Sequence, residues 1–407
     1  MKEQTMSTIQ YDMLYLLSCG VNKTKPQQNI LEQYKSDDRK LMQLYGFSKQ
    51  HFVDALTGTV LKQAGVTLPD PWEKDMAKAV RKVILFDAER ARILSFMEQR
   101  GIWYLPLKGI ILKEFYPSVG MRQMSDNDIL FDEAFAEQVR EYMVSLGYEV
   151  ISFGEGNHDV YEKEPVYNFE LHRALYGAAH DNNWEQYYRD VKERLIREEG
   201  SSYGYHMKLE DFYIYIMCHG YKHYQGGGTG IRTLLDFYVY LESLHSEMDF
   251  AYIEKECETL GLSEFEKRNR ALCRKVFGDN AFAELPAEER VPDTAAHTTK
   301  EIITKALSQE ELDMLQYYMT SGVYGTFDRR IENNVKKYSK NGGSSKLRYV
   351  IKRIFPGMET YQYYPFFYKH KWLLPVCWLY RLLRVVFQRE RRERILREAD
   401  AVRKVKV

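Results

Sequence analysis

Apolar residues recur at three- and four-residue spacing over the first hundred positions, and this periodicity predicts amphipathic helices. The clearest helical segments are residues 6–19, 51–64 and 72–100. Pro71 lies where the last segment begins, and Gly101 follows its end, as glycine commonly does after a helix. We therefore expect residues 1–100 to form an N-terminal helical region.

The pattern changes after Gly101. Short runs that alternate apolar and polar residues, or are apolar throughout, predict strands at 102–108, 124–131, 148–153, 158–164 and 166–175. Helical spacing returns between them at 109–116 and 133–146. This order predicts an α+β fold, in which a small mixed β-sheet with its own helices forms a core over residues 101–205.

Helical spacing resumes beyond this core at 210–224, 231–244, 247–261, 264–277 and 300–319. These segments predict a helical bundle domain over residues 206–300 and a C-terminal helical extension over residues 301–407. The polar residues 278–300 indicate a linker, and the GGSS sequence at 342–345 predicts a flexible segment.

Composition and charge narrow the class of protein. The 407 residues include 58 basic and 58 acidic side chains, a balance that argues against binding along DNA. Five cysteines are scattered without a CxxC pair, and the N-terminus lacks a signal-peptide pattern. We expect a cytoplasmic protein with reduced thiols.

Asp126 and Asp128 are two residues apart on a predicted strand, so their carboxylates project from the same face. Such neighbouring charges repel unless a cation neutralises them, and Mg²⁺ prefers carboxylate oxygens. Alone, such a pair is more typical of a solvated strand end or turn. Glu170 lies on the polar face of a later predicted strand and supplies a third carboxylate. His172 lies on the same face, where it would contact the substrate, support a metal ligand or form a purely structural hydrogen bond.

Lys108 and Gly109 lie at the junction between a predicted strand and a predicted helix. A glycine there lets a phosphate approach the backbone, and the first amides of the helix point towards it. Lys108 would add a positive charge. An ordinary turn glycine beside a solvated lysine explains the same two residues.

The run WYLPLKGIILKEFYPSVGMRQMSDNDILF at 103–131 resembles the uncharacterised bacterial nucleotidyltransferase family of the DNA polymerase beta superfamily. The features that carry this resemblance are Leu-Lys-Gly at 107–109, Tyr-Pro at 116–117, Arg122, the acids Asp126 and Asp128, Glu-Leu-His at 170–172, His219, His223, Arg232, Asp236 and GVYGT at 322–326. The wider superfamily has Gly-Ser where this chain has Lys108 and Gly109, and the gap to the first acid is longer here.

The resemblance implies transfer of a nucleoside monophosphate from a nucleoside triphosphate (NTP) to an acceptor that the sequence does not identify. The catalytic and metal-binding residues would be Asp126, Asp128 and Glu170, with Mg²⁺ or Mn²⁺ as the cofactor. The nucleotide-binding residues would be Lys108, Gly109, Arg122, His219 and Lys222. The alternative is a nucleotide-binding or regulatory module of the same fold with little or no transfer activity.

Several of these residues also have purely structural explanations. Arg122 would then pair with a nearby acid such as Asp132, and Arg232 would pair with Asp236, four residues later on the same predicted helix. His219, Lys222 and His223 share one helical face, where they would simply cap a bundle.

The C-terminal segment 372–387 is strongly apolar, and residues 388–407 hold eight Lys or Arg against four acids. The segment is too short and too charged to span a bilayer. One interpretation is a helix over 372–397 that lies on an anionic membrane, as in cell-envelope assembly. We favour the other, a helix that packs on the protein's own core and leaves its basic end solvated.

Overall fold

A computed structural model describes residues 6–177, 182–282, 298–323, 325–338, 345–356 and 365–405. The helices are α1 (Thr8–Asn22), α2 (Gln28–Ser36), α3 (Asp38–Gln50), α4 (Asp54–Gln63), α5 (Asp70–Arg100), α6 (Gly109–Leu112), α7 (Ala136–Ser145), α8 (Asn182–Tyr188), α9 (Leu209–Gln225), α10 (Ile231–Leu244), α11 (Phe250–Thr259), α12 (Ser263–Phe277), α13 (Thr299–Ala306), α14 (Gln309–Ser321), α15 (Phe327–Lys337), α16 (Ser345–Ile354), α17 (Pro365–Lys369), α18 (Leu374–Phe387) and α19 (Arg389–Lys404). The strands are β1 (Tyr104–Pro106), β2 (Asn127–Phe131), β3 (Glu149–Ser152), β4 (His158–Lys163), β5 (Tyr167–His172), β6 (Ile196–Arg197) and β7 (Tyr205–His206). Most of the expected linker at 278–300, Tyr324 of the GVYGT sequence and residues 342–344 of the GGSS sequence lie outside the described residues.

Helix α5 follows the sequence pattern closely. Pro71 lies in its first turn, and Gly101 ends it in the left-handed conformation with φ 73°. Its buried residues, which include Val83, Phe86 and Ile93, recur at three-, four- and seven-residue intervals along one face. The prediction of a long amphipathic helix up to Gly101 is confirmed.

The single helix expected at 300–319 is wrong. The structure has two helices, α13 and α14, because Ser308 caps the second one. Its side chain accepts a hydrogen bond from the Glu311 amide, and the Glu311 side chain accepts one from the Ser308 amide. This reciprocal capping box stabilises a new helix start, although the apolar periodicity continues across it.

The main sheet has the strand order β1-β2-β5-β4-β3. Strand β2 runs parallel to β5, whereas the other neighbouring pairs are antiparallel. The α+β fold with a small mixed sheet is therefore confirmed. Because β2 lies inside the sheet, all five of its residues are buried.

The two faces of the sheet pack against different helices. Ile129, Phe131 and Phe169 point to one side, where they pack with residues of α5 and α7. Leu105 and Leu130 point to the other side and join the larger hydrophobic cluster that includes α9 and α10. The polar groups between this second face of the sheet and α9 form the candidate site.

The larger cluster joins helices from both ends of the chain. It contains buried residues of α1–α4 together with residues of α9–α14, so the N-terminal helices pack on helices that follow the sheet. The division into regions at 1–100, 101–205, 206–300 and 301–407 stays a prediction.

A buried ion pair connects this helical part to the segment before β2. The Nε and Nη2 atoms of Arg122 both donate to the carboxylate of Asp236 on α10, each at 2.9 Å. The Tyr116 hydroxyl donates to the same carboxylate at 2.8 Å. The structural alternative for Arg122, an ion pair, is thus made with Asp236 and not with Asp132. The expected pair of Arg232 with Asp236 is wrong, because Asp236 binds Arg122 instead.

We expect Asp236→Ala to lower the free energy of unfolding by about 3–5 kcal/mol, since it leaves the Arg122 guanidinium buried without a counter-charge. Glu242→Ala on the exposed side of α10 is the matched control, with a change below about 0.5 kcal/mol. Urea denaturation measures both. A loss at Asp236 as small as that of the control would contradict the structural role of the pair.

Candidate active site

The pairing of β2 with β5 places two acids side by side. Asp128 and Glu170 are direct partners in this parallel register, and both project towards α9. The Asp128 residue is 1% exposed, whereas the Glu170 side chain is 24% exposed. Asp126 lies immediately before β2, two residues from Asp128, and is half-buried. The structure therefore places Asp128 and Glu170 side by side on neighbouring strands, and the charge of Asp126 acts on both of them.

Lys108 neutralises part of this acidic cluster. Its Nζ atom lies 2.5 Å from Asp128 Oδ1 and 4.0 Å from Glu170 Oε2. Burial works to lower the pKa of Lys108, but the carboxylate of Asp128 holds it well above its ordinary value. Burial likewise opposes ionisation of Asp128, but the Lys108 charge and a hydrogen bond from His172 hold the pKa of this acid below its usual range. Both groups are thus charged at neutral pH.

The backbone at Lys108 is strained. With φ 48° and ψ −117°, Lys108 has the conformation of the second residue of a type II′ turn, which the hydrogen bond from the Ile110 amide to the Leu107 carbonyl closes at 3.2 Å. Glycine usually occupies this position, because a side chain there costs about 1–3 kcal/mol. A lysine at such a position indicates that its side chain is needed.

Packing explains the glycine at position 109 without the phosphate contact that the sequence suggested. Gly109 is buried, and a Cβ atom there would lie 2.5 Å from Arg122 Nη1 and 3.0 Å from Met124 Sδ. Close packing of Arg122 and Met124 therefore requires the glycine. Whether a phosphate also approaches this backbone stays a prediction.

Two histidines line the acidic cluster. His172 Nε2 donates to Asp128 Oδ1 at 2.9 Å and lies 3.7 Å from Glu170 Oε2. His158 of β4 is the register partner of His172, and its Nε2 lies 3.8 Å from Glu170 Oε2. Burial, with the nearby charges of His172 and Lys108, lowers the pKa of His158 to about 4. Within the described residues, His158, Glu170 and His172 also place one ligand atom each within 4.8 Å of one another, a spacing compatible with a metal ion.

The other two acids of the cluster are harder to ionise than ordinary carboxyl groups. Burial and the charge of Asp128 raise the pKa of Glu170 to about 8, even though Lys108 acts in the opposite direction. Burial and Asp128 raise the pKa of Asp126 as well. The arrangement therefore favours binding of further positive charge.

Helix α9 presents a basic face to the acids. His219, Lys222 and His223 follow the spacing that places side chains on one side of a helix. Lys222 and His223 are exposed to solvent, yet surrounding protein still lowers the pKa of both, with Lys108 adding repulsion at Lys222. Exposure combined with close surroundings indicates the wall of a cleft. Within the described part of the chain, no carboxylate lies at ion-pair distance from Lys222.

Asp126 has its own cationic neighbours. Lys82 of α5 donates to the Ser125 carbonyl at 2.9 Å. Burial lowers the pKa of Lys82, and the charge of Asp126 opposes part of this shift. Arg232 of α10 donates to the Gln123 carbonyl at 3.0 Å, and its charge acts to lower the pKa of Asp126. These residues hold the segment before β2 from two sides.

The structure thus brings most of the predicted site residues together. Lys108 touches Asp128, and His219 and Lys222 face the cluster from α9, whereas Arg122 is turned to Asp236. The sequence reasoning missed Lys82 and His158. His158 could have been found, because pairing the two predicted strands β4 and β5 as a hairpin places it opposite His172. Lys82 could not, because nothing in the local sequence distinguishes it from the other charged residues of α5.

The comparisons with known proteins agree with this geometry. A family model described as an uncharacterised nucleotidyltransferase matches residues 37–278, more than half of the chain. The matched segment contains every residue of the candidate site. No curated protein and no solved structure matches the chain.

The raised pKa of Glu170 predicts a pH-dependent stability in protein freed of divalent ions. Between pH 4.5 and about 8 the folded state keeps a proton that the unfolded chain releases, so the free energy of unfolding falls as the pH rises through this window. We expect Glu170→Gln to remove a dependence on the order of a few kcal/mol. Denaturation at a series of pH values measures it.

The matched control is Glu162→Gln, on the exposed side of the neighbouring strand β4, which should keep the wild-type slope. An unchanged slope in Glu170→Gln would refute the idea that this carboxyl carries the excess proton.

Proposed function

The chain belongs to the uncharacterised nucleotidyltransferase family, and we propose that it transfers a nucleoside monophosphate from an NTP to an acceptor hydroxyl or phosphate. The observation that carries this proposal is the pairing of an acidic cluster on β2 and β5 with a basic face on α9. An NTP with its divalent ion has the complementary charges. In the reaction, an acceptor oxygen bonds to the α-phosphorus, the bond to the β-phosphate oxygen breaks, and pyrophosphate leaves.

Asp126, Asp128 and Glu170 are the residues that would hold Mg²⁺ or Mn²⁺. They offer carboxylate oxygens, which these ions prefer. Burial first, and then the charge of Asp128, raise the pKa of both Asp126 and Glu170, and a bound cation would favour the ionised form of both acids. When bound, a divalent ion stabilises negative charge on the attacking and leaving oxygens.

Lys108 and His172 position Asp128. One oxygen of this carboxylate accepts hydrogen bonds from both side chains, which fixes its orientation before any ligand arrives. Asp128 is almost completely buried, so it holds this orientation without competition from water. Preorganised charge of this kind lowers the cost of stabilising a transition state.

Lys222 is our candidate for the triphosphate contact. It lies exposed on the cleft wall, its pKa is lowered by burial and by repulsion from Lys108, and an anionic ligand would relieve both effects. His219 and His223 flank it on the same face, and burial keeps both imidazoles neutral by lowering their pKa. We assign Arg122 to positioning instead, because Asp236 occupies its guanidinium.

Glu170 is our candidate for accepting the proton of the acceptor group, unless it serves wholly as an ion ligand. A carboxylate with a pKa near 8 is a stronger base than an ordinary glutamate and remains partly ionised at neutral pH. The Glu170 side chain is also more exposed than that of Asp128, so an acceptor can reach it.

The cysteines bear on where the reaction takes place. All five, Cys19, Cys218, Cys257, Cys273 and Cys377, are free and buried. Unpaired thiols persist in a reducing compartment, and we therefore propose a cytoplasmic location.

Incubation with NTPs labelled on the α-phosphate, with Mg²⁺ or Mn²⁺ and cell extract as the source of acceptor, tests the proposed reaction. We expect label to move to an acceptor, and Asp126→Asn and Asp128→Asn to reduce this transfer by about a hundredfold or more, since each removes charge at the reacting phosphate. Asp132→Asn, six residues after Asp126, is the matched control and should retain activity.

Other outcomes would overturn the proposal. Transfer from γ-labelled but not from α-labelled NTP would indicate phosphoryl transfer instead. Nucleotide binding without any transfer would favour the regulatory alternative, and full activity in both aspartate variants would remove their assigned roles.

Lys222→Gln should raise the KM for the NTP by about tenfold or more, because it removes a charged contact to the phosphates. Lys267→Gln, on the exposed surface of α12, controls for the loss of one positive charge. Steady-state kinetics with both variants measures the difference. Equal KM values would exclude Lys222 from nucleotide binding.

A further inference from the structure

The charge of this neutral chain is strongly segregated. Residues 345–407 contain sixteen Lys or Arg and five Asp or Glu, which leaves 42 basic and 53 acidic residues in the rest of the chain. The C-terminal part therefore carries an excess of eleven positive charges. This segment also lies beyond the residues that match the nucleotidyltransferase family.

An exposed apolar stripe runs from the turn just before α18 into this helix. Trp372, Val376, Leu379 and Leu383 follow one another at three- and four-residue spacing, and their exposed fractions are 78%, 53%, 58% and 47%. Cys377 on the opposite side is only 1% exposed. The helix thus packs through its less apolar side and presents its most apolar side to the surroundings, the reverse of the usual arrangement.

Two neighbouring helices show the same feature. On α16, Leu347, Val350 and Ile351 are exposed with helical spacing, and on α19 Ile395 and Leu396 are exposed. Apolar exposure on three adjacent helices exceeds the isolated apolar residues that ordinary protein surfaces carry. We refer to these exposed residues of α16, α18 and α19 as the C-terminal apolar surface.

Contacts within the segment hold these helices in place without covering the surface. Arg353 Nε and the Tyr349 hydroxyl, both from α16, donate to Glu398 of α19 at 2.7 and 2.5 Å. The Phe355 and Trp378 rings meet edge to face, with centroids 5.1 Å apart. The C-terminal apolar surface is therefore a built feature of packed helices.

We propose that the C-terminal apolar surface docks on an anionic lipid bilayer. Leucine, valine and tryptophan side chains insert between headgroups, while the surrounding excess of Lys and Arg pairs with anionic lipids, and the two effects add. Trp372, the most exposed of these residues, is of the type that favours the membrane–water interface. Within the described residues no helix is both long enough and apolar enough to cross a bilayer, so the segment lies on the surface.

A lipid surface accounts for these observations better than other partners do. Nucleic acid would use the positive charge but leave the leucines of α16, α18 and α19 exposed to water. A second copy of the chain would cover the apolar stripe but bring two strongly basic segments together, which mutual repulsion opposes. Only an anionic apolar interface satisfies both properties at once.

Flotation of the full-length protein with vesicles tests this proposal. We expect it to float with vesicles of phosphatidylcholine and phosphatidylglycerol, to remain unbound with phosphatidylcholine alone, and to be released by high salt. The combined variant Leu379→Gln and Leu383→Gln should reduce binding about tenfold or more, because it removes inserted side chains. Val144→Gln, at an exposed apolar position on α7, is the control and should bind like the wild type.

Charge and insertion are tested separately. Arg392→Glu together with Arg394→Glu on α19 should weaken binding to anionic vesicles by more than about 25-fold, since each basic residue near the surface contributes about fivefold. Tryptophan fluorescence should shift to shorter wavelength on binding. Trp372→Phe should lose most of this shift while still floating, because phenylalanine keeps the apolar contact.

The results that would overturn the proposal are equally specific. Equal binding to neutral and anionic vesicles, or none to either, would refute it. Binding to RNA in preference to anionic vesicles would identify a nucleic-acid surface. Concentration-dependent dimers that the Leu379→Gln and Leu383→Gln variant abolishes would assign the surface to a second copy. Circular dichroism of each variant verifies that the helices remain folded.

Discussion

Two parallel neighbouring strands place the carboxylates of Asp128 and Glu170 side by side, and much of the candidate site follows from their mutual repulsion. Burying like charges is costly unless cations or hydrogen bonds offset them. Lys108 and His172 do so for Asp128, which remains ionised. Burial and Asp128 shift the pKa of Glu170 to about 8, so that it partly retains its proton. The two adjacent acids therefore differ in pKa: Asp128 keeps its negative charge, whereas Glu170 can gain or lose a proton near neutral pH.

Lys108 carries a further cost that supports a functional explanation. Its positive φ of 48° is a conformation that glycine would adopt with less strain. If the position served only to turn the chain from β1 into α6, glycine would be the better residue. The lysine side chain instead reaches Asp128 and lies near Glu170, so the strain and the neutralisation of the acids are linked. Backbone strain is typically concentrated where a side chain must be held at a particular place.

The sequence predicted what depends on local pattern and missed what depends on long-range pairing. Periodicity located α5, most of the strands and the polar face of β5, because neighbours along the chain determine which side of an element is buried. It identified Asp126, Asp128 and Glu170 as candidates for the same reason. It could not pair Arg122 with Asp236, 114 residues away, since periodicity specifies a face and not a partner. Nor could it show that Gly109 packs closely against Arg122 and Met124, since these contacts depend on how the loop before β2 folds back.

The net charge of the whole chain says nothing about how the charges are distributed. A formal charge of zero argues against an electrostatic partner only if the charges are mixed, and here the last 63 residues are strongly basic while the remainder is acidic. An anionic surface therefore attracts one end of the molecule and repels the other. Because screening limits such forces to about 8 Å at physiological salt, this separation acts mainly on orientation at close range. It favours contact through the basic C-terminal helices that we propose to dock on the bilayer.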